Sequence, residues 1–483
     1  MVLVLAGCAS VVNPVTGRTE RTVMSEEAEV AEGAKAHEQV VQQYGRHDDP
    51  KLAAYVDELG QRLAKHSHRP QLKWTFTVLD SPELNAFALP GGYVYVTRGI
   101  LATMESEADL AGVMGHEIGH VTARHGAQRA TRQQQAGIGV LAASVLGAVL
   151  GIGDVANQVS QGVAAGYVAS YSRDQELQAD RLGAEYLAKT RYDPKNMVDV
   201  IQVLKSHEQY AADHAKAAGR GEREGADWLA SHPSNETRLQ DIRSIAASYP
   251  QAAYADDARG RFLRAIDGLP FGESRAQGVT RGQHFFHEPL GFALTAPAGW
   301  QVQNAQAAVA LVNGAGDAGL VVRPVPEKAG TTHEEIIRNL VKPTAGRTER
   351  RELHGLAATH FVGTRQNAQG QTSNVVLTVV SGPQAKPYLL QYLGKDGAAL
   401  QRALPTLREA EASFRPLSAA DRAAARPWVL KTAPLPRGGF AELAKRSPLG
   451  AGAEDRLRLI NGVYGTASAG REPKPGELVK VVE

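Results

Sequence analysis

The residues with the clearest chemical potential form the run His116-Glu117-Ile118-Gly119-His120. Two histidines four residues apart lie on one face of a helix, about one turn apart. This spacing lets two imidazole nitrogens bind one Zn²⁺ ion, while the intervening glutamate points at the position where a water can be activated. The run therefore predicts a zinc site in which Glu117 is the general base of a hydrolytic reaction.

A third metal ligand is expected further along the chain, in the run Glu176-Leu177-Gln178-Ala179-Asp180. On a helix, Glu176 and Asp180 share one face, so Glu176 can bind the metal while Asp180 reaches back to a ligand imidazole. The alternative is that Glu176 is an ordinary solvated helix acid, since Asp174 and Arg181 lie on the same predicted helix.

Helices and a few short strands must position these side chains. A helical pattern runs from Ser25 to about His66, and Ser106 is a typical N-cap for the helix that carries the two histidines. Between these helices, alternating or apolar runs bounded by turn residues predict three strands, at 72–79, 85–89 and 93–97.

The motifs, in this order, resemble the gluzincin zinc metallopeptidase family of the CAAX prenyl protease and the HtpX-type proteases. Besides the runs already described, the resemblance rests on Asn85-Ala86-Phe87, Pro90-Gly91-Gly92 and Arg173-Asp174-Gln175. It covers about residues 25–250 and is strongest for periplasmic members such as the β-barrel assembly-enhancing proteases. It implies a mainly helical domain with a small β-sheet, which binds one Zn²⁺ per chain through His116, His120 and Glu176.

Two further functional elements follow from the resemblance. His232-Pro233 matches a family motif whose histidine either caps the zinc in a resting state or stabilises the oxyanion during turnover; the alternative is an ordinary helix-start residue. The strand of Tyr93, Val94, Tyr95 and Val96 resembles the edge strand to which a substrate adds as a further strand. The remaining histidines, including His125 and His207, are interpreted as structural or surface residues.

The amino terminus suggests export from the cytoplasm. Leu5-Ala6-Gly7-Cys8 resembles the lipobox of bacterial lipoproteins, in which the cysteine carries the lipid. Cys8 is the predicted lipidation site, residues 1–24 are a signal remnant and tether, and Ala9 favours the inner face of the outer membrane. The alternative is that Cys8, the one cysteine of the chain, is a buried structural residue.

A chain of 483 residues is expected to fold as more than one domain. The predicted fold class is α+β: a metallopeptidase domain at 25–265, an α+β domain at 284–416 with a weak PsbP-like resemblance, and a LysM-like module at 425–483. The uncharged segment 133–153 is interpreted as a helix or loop that packs over the active site or dips into the membrane surface. Its high Gly and Ala content fits a membrane-spanning helix less well.

Composition narrows the range of partners. The formal net charge is only +2 and the basic residues are scattered, so nucleic acid is not an expected partner.

The expected substrates are unfolded or misassembled envelope proteins, the membrane is contacted through the lipid anchor, and the LysM-like tail suggests peptidoglycan. The alternative functions are a latent protease that acts mainly as a periplasmic chaperone, and a peptidoglycan-associated binding protein.

Overall fold

A computed structural model describes residues 9–135, 171–217, 228, 232, 236–250, 254–305, 307–366, 370–465 and 471–483. The described residues form two compact units, and the α+β class predicted from the sequence is confirmed. Within the described residues, no helix combines the length and apolar character needed to cross a membrane. Cys8 and most of the segment 133–153 lie outside the described residues.

The first unit comprises the described residues within 1–142, 163–272 and 428–483, and it is mainly helical. Its helices are α1 (Glu26–Tyr44), α2 (Pro50–Ala64), α3 (Arg98–Thr103), α4 (Glu107–Thr122), α5 (His125–Gln135), α6 (Arg173–Lys189), α7 (Asn196–Ala217), α8 (Glu236–Ala247) and α9 (Arg259–Ala265). Its strands in this part of the chain are β1 (Ala9–Val12), β2 (Thr19–Thr22), β3 (Thr75–Leu79), β4 (Ala86–Leu89), β5 (Tyr93–Thr97) and β6 (Pro270–Phe271).

Helix α4, which carries the two histidines, is buried along its whole length. Ser106 caps it as predicted, because its hydroxyl accepts from the backbone N–H of Asp109 at 3.1 Å. The apolar side chains of this helix lie in the main core of the unit: Leu110, Val113, Met114 and Ile118. The helix is therefore held rigidly from its cap to its carboxyl end.

Helix α6 crosses α4 at very short range because both helices present small residues at the crossing. A Cβ atom placed on Gly115 would lie 3.3 Å from the Cα of Gly183, and one placed on Gly119 would lie 3.0 Å from the carbonyl oxygen of Ala179. Larger side chains at these positions would push the helices apart. The close crossing brings the amino-terminal part of α6, and with it Glu176, next to the histidines of α4.

The sheet beside α4 has the strand order β3-β5-β4, which corrects one prediction. The sequence predicted that Tyr93 to Val96 form the edge strand that receives a substrate. Strand β5 is instead the central strand, paired with β3 in parallel and with β4 in antiparallel orientation. Its backbone groups are already used on both sides, and the two edge strands of this sheet are β3 and β4.

The second unit comprises the described residues within 273–427 and is built on antiparallel sheets. Its strands are β7 (Val279–Arg281), β8 (His284–His287), β9 (Phe292–Thr295), β10 (Gln301–Ala305), β11 (Ala308–Val312), β12 (Ala318–Pro324), β13 (Ala345–Leu353), β14 (Leu356–Gln366), β15 (Thr372–Ser381), β16 (Pro387–Gly394) and β17 (Arg415–Pro416). Its helices are α10 (His333–Val341), α11 (Gly397–Ala412) and α12 (Ala419–Ala424).

Seven of these strands form one sheet, in the order β10-β11-β12-β16-β15-β14-β13. Consecutive residues of β16 point to opposite faces, and each face has its own core. Leu389 packs with Ile336 of α10, and Leu390 packs with Leu407 of α11. The sheet is thus covered by one helix on each face, while the PsbP-like resemblance of this region stays a prediction.

The last part of the chain packs as part of the first unit. The sequence predicted a separate module at 425–483, but β18 (Trp428–Pro434) and β19 (Leu478–Val482) form one sheet with β6, and α13 (Gly439–Ala444) and α14 (Ala453–Ile460) contribute to the main core. The physical reason is apolar burial against the peptidase core, which an independent module would not make. The LysM-like resemblance stays a prediction.

Lys480 fixes this segment to the turn between α3 and α4. The side chain of this lysine is fully buried, and its ammonium group donates to the carbonyl oxygens of Ala102 at 3.1 Å and Met104 at 2.7 Å. It also forms an ion pair with Glu105 at 2.7 Å. A buried cation with this set of partners ties the end of the chain to the start of the helix that carries the histidines.

We expect Lys480→Met to destabilise the first unit by about 2–3 kcal/mol, because it leaves buried carbonyl groups and part of the Glu105 charge unpaired. Arg259 also contacts Glu105, at 2.8 Å, which limits the loss. The measurement is the urea unfolding midpoint followed by tryptophan fluorescence, with the exposed Lys474→Met as the matched control. Equal midpoints for the two variants would show that the buried ammonium group does not stabilise the unit.

Candidate active site

Three of the predicted ligands converge on one point between α4 and α6. The Nε2 atoms of His116 and His120 lie 3.0 Å apart. A carboxylate oxygen of Glu176 lies 3.6 Å from Nε2 of His116, and the other lies 3.4 Å from Nε2 of His120. All three side chains are buried, so the facing atoms are shielded from bulk water.

A fourth ligand atom comes from His232. Its Nδ1 lies 3.2 Å from Nε2 of His116 and 3.0 Å from an oxygen of Glu176. The four residues each offer a ligand atom within 4.8 Å of the others. They include each predicted metal ligand and the histidine of the His-Pro pair.

This donor set fits a zinc ion. Ligand atoms about 2.1 Å from a tetrahedral zinc ion lie about 3.4 Å from one another. The separations here are 3.0, 3.2, 3.4 and 3.6 Å. Two imidazoles, a carboxylate and a further imidazole are ligands that zinc commonly takes in proteins. The geometry therefore matches one zinc ion held by His116, His120 and Glu176, with His232 at the fourth position.

Asp180 contacts one of the ligand imidazoles, that of His116. Its Oδ1 accepts from Nδ1 of His116 at 2.9 Å, which turns Nε2 of that ring toward the ligand cluster. Burial alone raises the pKa of Asp180, but the guanidinium of Arg238 and the ring of His116 outweigh it and hold the pKa below its usual range. Asp180 therefore stays a carboxylate and remains an acceptor.

Arg238, at the start of α8, is a site residue that the sequence reasoning missed. Its guanidinium donates to both carboxylate oxygens of Asp180 at 2.9 Å and forms an ion pair with Glu176 at 2.8 Å. It also donates to the backbone carbonyl of His232 at 2.8 Å. One cation thus fixes three elements of the site. The available signal was an arginine six residues after His232.

Trp228 is a second missed residue. Its indole N–H donates to the carboxylate of Glu117 at 3.1 Å. Its ring stacks on that of His232, with the ring centroids 4.7 Å apart. The side chain therefore orients both predicted catalytic residues. Burial raises the pKa of Glu117 above its ordinary value, against the opposing effects of His232 and His116.

The ring of His232 lies between the ligand cluster and the carboxylate of Glu117, with one ring nitrogen directed at each. Nδ1 faces the ligand cluster, while Nε2 lies 3.4 Å from the carboxylate of Glu117. Burial lowers the pKa of His232, but the carboxylates of Glu176 and Glu117 outweigh this effect and raise it overall. The position is compatible with both roles that the sequence left open.

His125, interpreted from the sequence as a structural or surface residue, lies against the site. Its ring is buried, and its Nδ1 lies 2.8 Å from Nδ1 of His120. Its Nε2 lies 2.9 Å from the side-chain oxygen of Gln178 on α6. Burial lowers the pKa of His125 to about 4, so the ring is neutral near neutral pH.

Tyr171 covers the other side of the ligand cluster. Its ring stacks on His120 with the centroids 3.9 Å apart. Together with His120 it lines a pocket that also includes Ala88 and Leu89 of β4. The edge strand β4 and the predicted ligand His120 thus line the same pocket. Of the predicted substrate strand, Tyr95 is instead fully buried, and its hydroxyl contacts His37 at 2.7 Å.

Comparisons with known proteins agree with this geometry. Residues 50–246 match Peptidase family M48. The chain is 32% identical over 206 residues to the beta-barrel assembly-enhancing protease of Escherichia coli strain K12. The aligned region covers 41% of this chain and 40% of that protein. The chain is also 28% identical over 235 residues to the mitochondrial metalloendopeptidase OMA1 of Schizosaccharomyces pombe. Here the aligned region covers 47% of this chain and 64% of that protein. The chain therefore spans less than half of the length of the bacterial relative.

Purified protein is expected to contain about one zinc ion per chain, and His116→Ala and His120→Ala are expected to lose it, because each removes one of three ligands. Metal analysis after dialysis measures the content. Chelation of the metal should also lower the melting temperature of the wild type, since a ligand bound to the folded state stabilises it. His284→Ala, on β8 of the second unit, is the control. Undiminished zinc in both ligand variants would contradict the assignment.

Proposed function

Because residues 50–246 match Peptidase family M48, we propose that the protein is a zinc-dependent endopeptidase of the bacterial cell envelope. The observation that carries the proposal is the convergence of ligand atoms from His116, His120, Glu176 and His232 beside the carboxylate of Glu117. A structural zinc site has no need of a further buried carboxylate beside the ligands, and among the described residues Glu117 contacts the indole of Trp228 and the imidazole of His232.

The chemistry proposed for the site is hydrolysis of a peptide bond. When bound, zinc supplies Lewis-acid chemistry, which lowers the pKa of water toward ~7 and polarises a carbonyl. The carboxylate of Glu117 accepts a proton from the water while the oxygen of that water attacks the carbonyl carbon of the peptide bond. The same carboxyl group then donates this proton to the leaving amine as the C–N bond breaks. The raised pKa of Glu117 makes its carboxylate a better acceptor of the proton of the water.

The substrate is proposed to bind as an extended strand along β4. This strand is one of the two edge strands of its sheet, and its residues Ala88 and Leu89 share a pocket with His120. An extended peptide pairing with this edge makes main-chain hydrogen bonds that do not depend on its sequence. Such binding suits unfolded or misassembled proteins, because they expose extended backbone.

The pathway is proposed to be quality control or assembly of outer-membrane proteins, which the name of the Escherichia coli relative supports. We further propose that Cys8 carries a lipid that holds the protein in the periplasm at the inner face of the outer membrane. Incorporation of labelled fatty acid into the full-length protein, and its loss in Cys8→Ser, tests the anchor. Equal membrane association of both proteins would refute it.

Two other functions remain as alternatives. A latent protease that works mainly as a chaperone would bind unfolded substrates through β4 and cleave them rarely. A peptidoglycan-associated binding protein would work through its carboxyl-terminal residues. Turnover of an unfolded protein, measured beside binding of the full chain to purified peptidoglycan, separates both alternatives from the endopeptidase.

We expect Glu117→Gln to keep the zinc and the fold but to lose at least ~10²–10⁴-fold in kcat on unfolded casein, because an amide cannot accept the proton of the attacking water. The control is Glu58→Gln, whose side chain is 71% exposed on α2. Near-normal cleavage by Glu117→Gln would exclude the proposed mechanism. Envelope proteins retained by this variant would identify the substrates.

His232 distinguishes a self-restrained enzyme from an unrestrained one. We propose that Nδ1 of His232 occupies the fourth ligand position in a resting state, because it lies 3.2 Å from Nε2 of His116. His232→Ala should then raise the steady-state cleavage of an unfolded substrate. A clear fall in kcat with an unchanged zinc content would instead assign the residue to stabilisation of the oxyanion.

A further inference from the structure

We propose that His125 is a positioning residue that keeps the proton of His120 on Nδ1, so that Nε2 of His120 is free to bind the metal. The inference rests on the proposed zinc site and extends it to a residue outside the ligand set. It depends on the direction of two hydrogen bonds, on a strained turn and on the charge balance of the site.

The direction of the hydrogen bonds is set at Gln178. Its side-chain oxygen, 2.9 Å from Nε2 of His125, can only accept, so His125 donates through Nε2. A neutral imidazole that donates through one nitrogen accepts through the other. Nδ1 of His125 therefore accepts from Nδ1 of His120 at 2.8 Å, which leaves the lone pair of His120 on Nε2.

The result at the cluster is two lone pairs that face each other. Asp180 accepts from Nδ1 of His116 at 2.9 Å, so that ring also has its lone pair on Nε2. The two Nε2 atoms lie 3.0 Å apart, but neither can donate to the other, because each ring carries its proton on Nδ1. This arrangement is stable around a shared cation. His125, held by Gln178, thus fixes the tautomer of His120. Asp180, held by Arg238, fixes the tautomer of His116 in the same way.

The chain bends sharply to place His125 there. Arg124 has a φ of 60°, in the left-handed region that non-glycine residues seldom adopt. Its guanidinium is held by Glu29 at 3.0 Å and by the backbone carbonyl of Met24 at 2.8 Å. The turn ends α4 and brings His125 back against a ring only five residues earlier. Buried partners hold this unfavourable backbone in place, as is common beside functional sites.

An imidazole, rather than a carboxylate, beside His120 also suits the charge of the site. Glu117, Glu176 and Asp180 already place three buried carboxylates around the ligand cluster, opposite the guanidinium of Arg238. A second carboxylate partner, for His120, would add a further buried negative charge with no additional cation. An imidazole orients His120 without that charge.

The test compares zinc affinity in full-length variants, measured by competition with a chromophoric chelator. We expect His125→Leu to bind zinc ~10–100-fold more weakly, the loss typical when the partner of a metal ligand is removed. His125→Asn should keep most of the wild-type affinity, because its side-chain oxygen stands as many bonds from Cβ as Nδ1 does and can accept. His207→Leu, on α7, removes a largely buried histidine elsewhere in the unit and should leave the affinity unchanged.

The outcomes separate this inference from its alternatives. Wild-type affinity in a folded His125→Leu protein would overturn it. Equal losses in His125→Leu and His125→Asn would also overturn it, because a merely structural role does not distinguish an acceptor from a methyl group. The visible spectrum of the Co²⁺-substituted proteins adds a second readout, since His125→Leu should change the ligand geometry and His125→Asn should not. If the wild type binds zinc but cleaves no substrate, the proposed function fails while the positioning role stands.

Discussion

The structure of the site depends on how closely α4 and α6 cross. Gly115 and Gly119 on one helix meet Ala179 and Gly183 on the other, and added Cβ atoms would fall about as close as 3.0 Å to the opposing backbone. Because the crossing lies within one turn of each ligand, a small separation of the helices would move Glu176 away from both imidazoles. The ligand cluster is therefore specified by small residues that do no chemistry themselves, in a core where packing cannot relax cheaply.

A second constraint is electrostatic and follows from the first. The close crossing buries several carboxylates within a few ångströms, and buried charges are stable only when paired. Arg238 supplies one positive charge and bridges Asp180 and Glu176. A divalent cation bound among the ligand atoms would supply the rest, and its binding would then stabilise the folded arrangement of α4, α6 and α8. Asp180 and Arg238, which orient the ligands, contribute to this charge balance as much as the ligand Glu176 does.

The sequence predicted the parts of the site that lie on regular helices. The fixed period of a helix makes the spacing of His116, His120, Glu176 and Asp180 interpretable, and local patterns placed the strand at 93–97 correctly. It missed residues whose position depends on the course of the chain between helices. His125 reaches the site through a left-handed residue, and Trp228 and Arg238 reach it from separate segments. No local pattern carries that information.

The errors in the sheets have a different origin. Period-two alternation identifies strands but does not specify their neighbours, so it does not show that β5 lies between β3 and β4. Strand β13 lacks this alternation, because it is an exposed edge strand rich in charged residues, as edge strands often are. Its charges protect the edge against unwanted pairing and at the same time remove the apolar alternation by which strands are predicted.

The placement of the carboxyl-terminal segment changes how the chain is divided. Strand β18 pairs with both β6 and β19, so the residues on either side of the second unit belong to one sheet of the first unit. The second unit is therefore an insertion within the first rather than a domain that follows it. An insertion between two hydrogen-bonded neighbours leaves the host sheet intact, because its ends start and finish close together. The chain then returns to place the ammonium group of Lys480 beside the amino-terminal end of α4. The helix that holds the histidines is consequently fixed at one end by the last residues of the chain and at the other by the turn that positions His125.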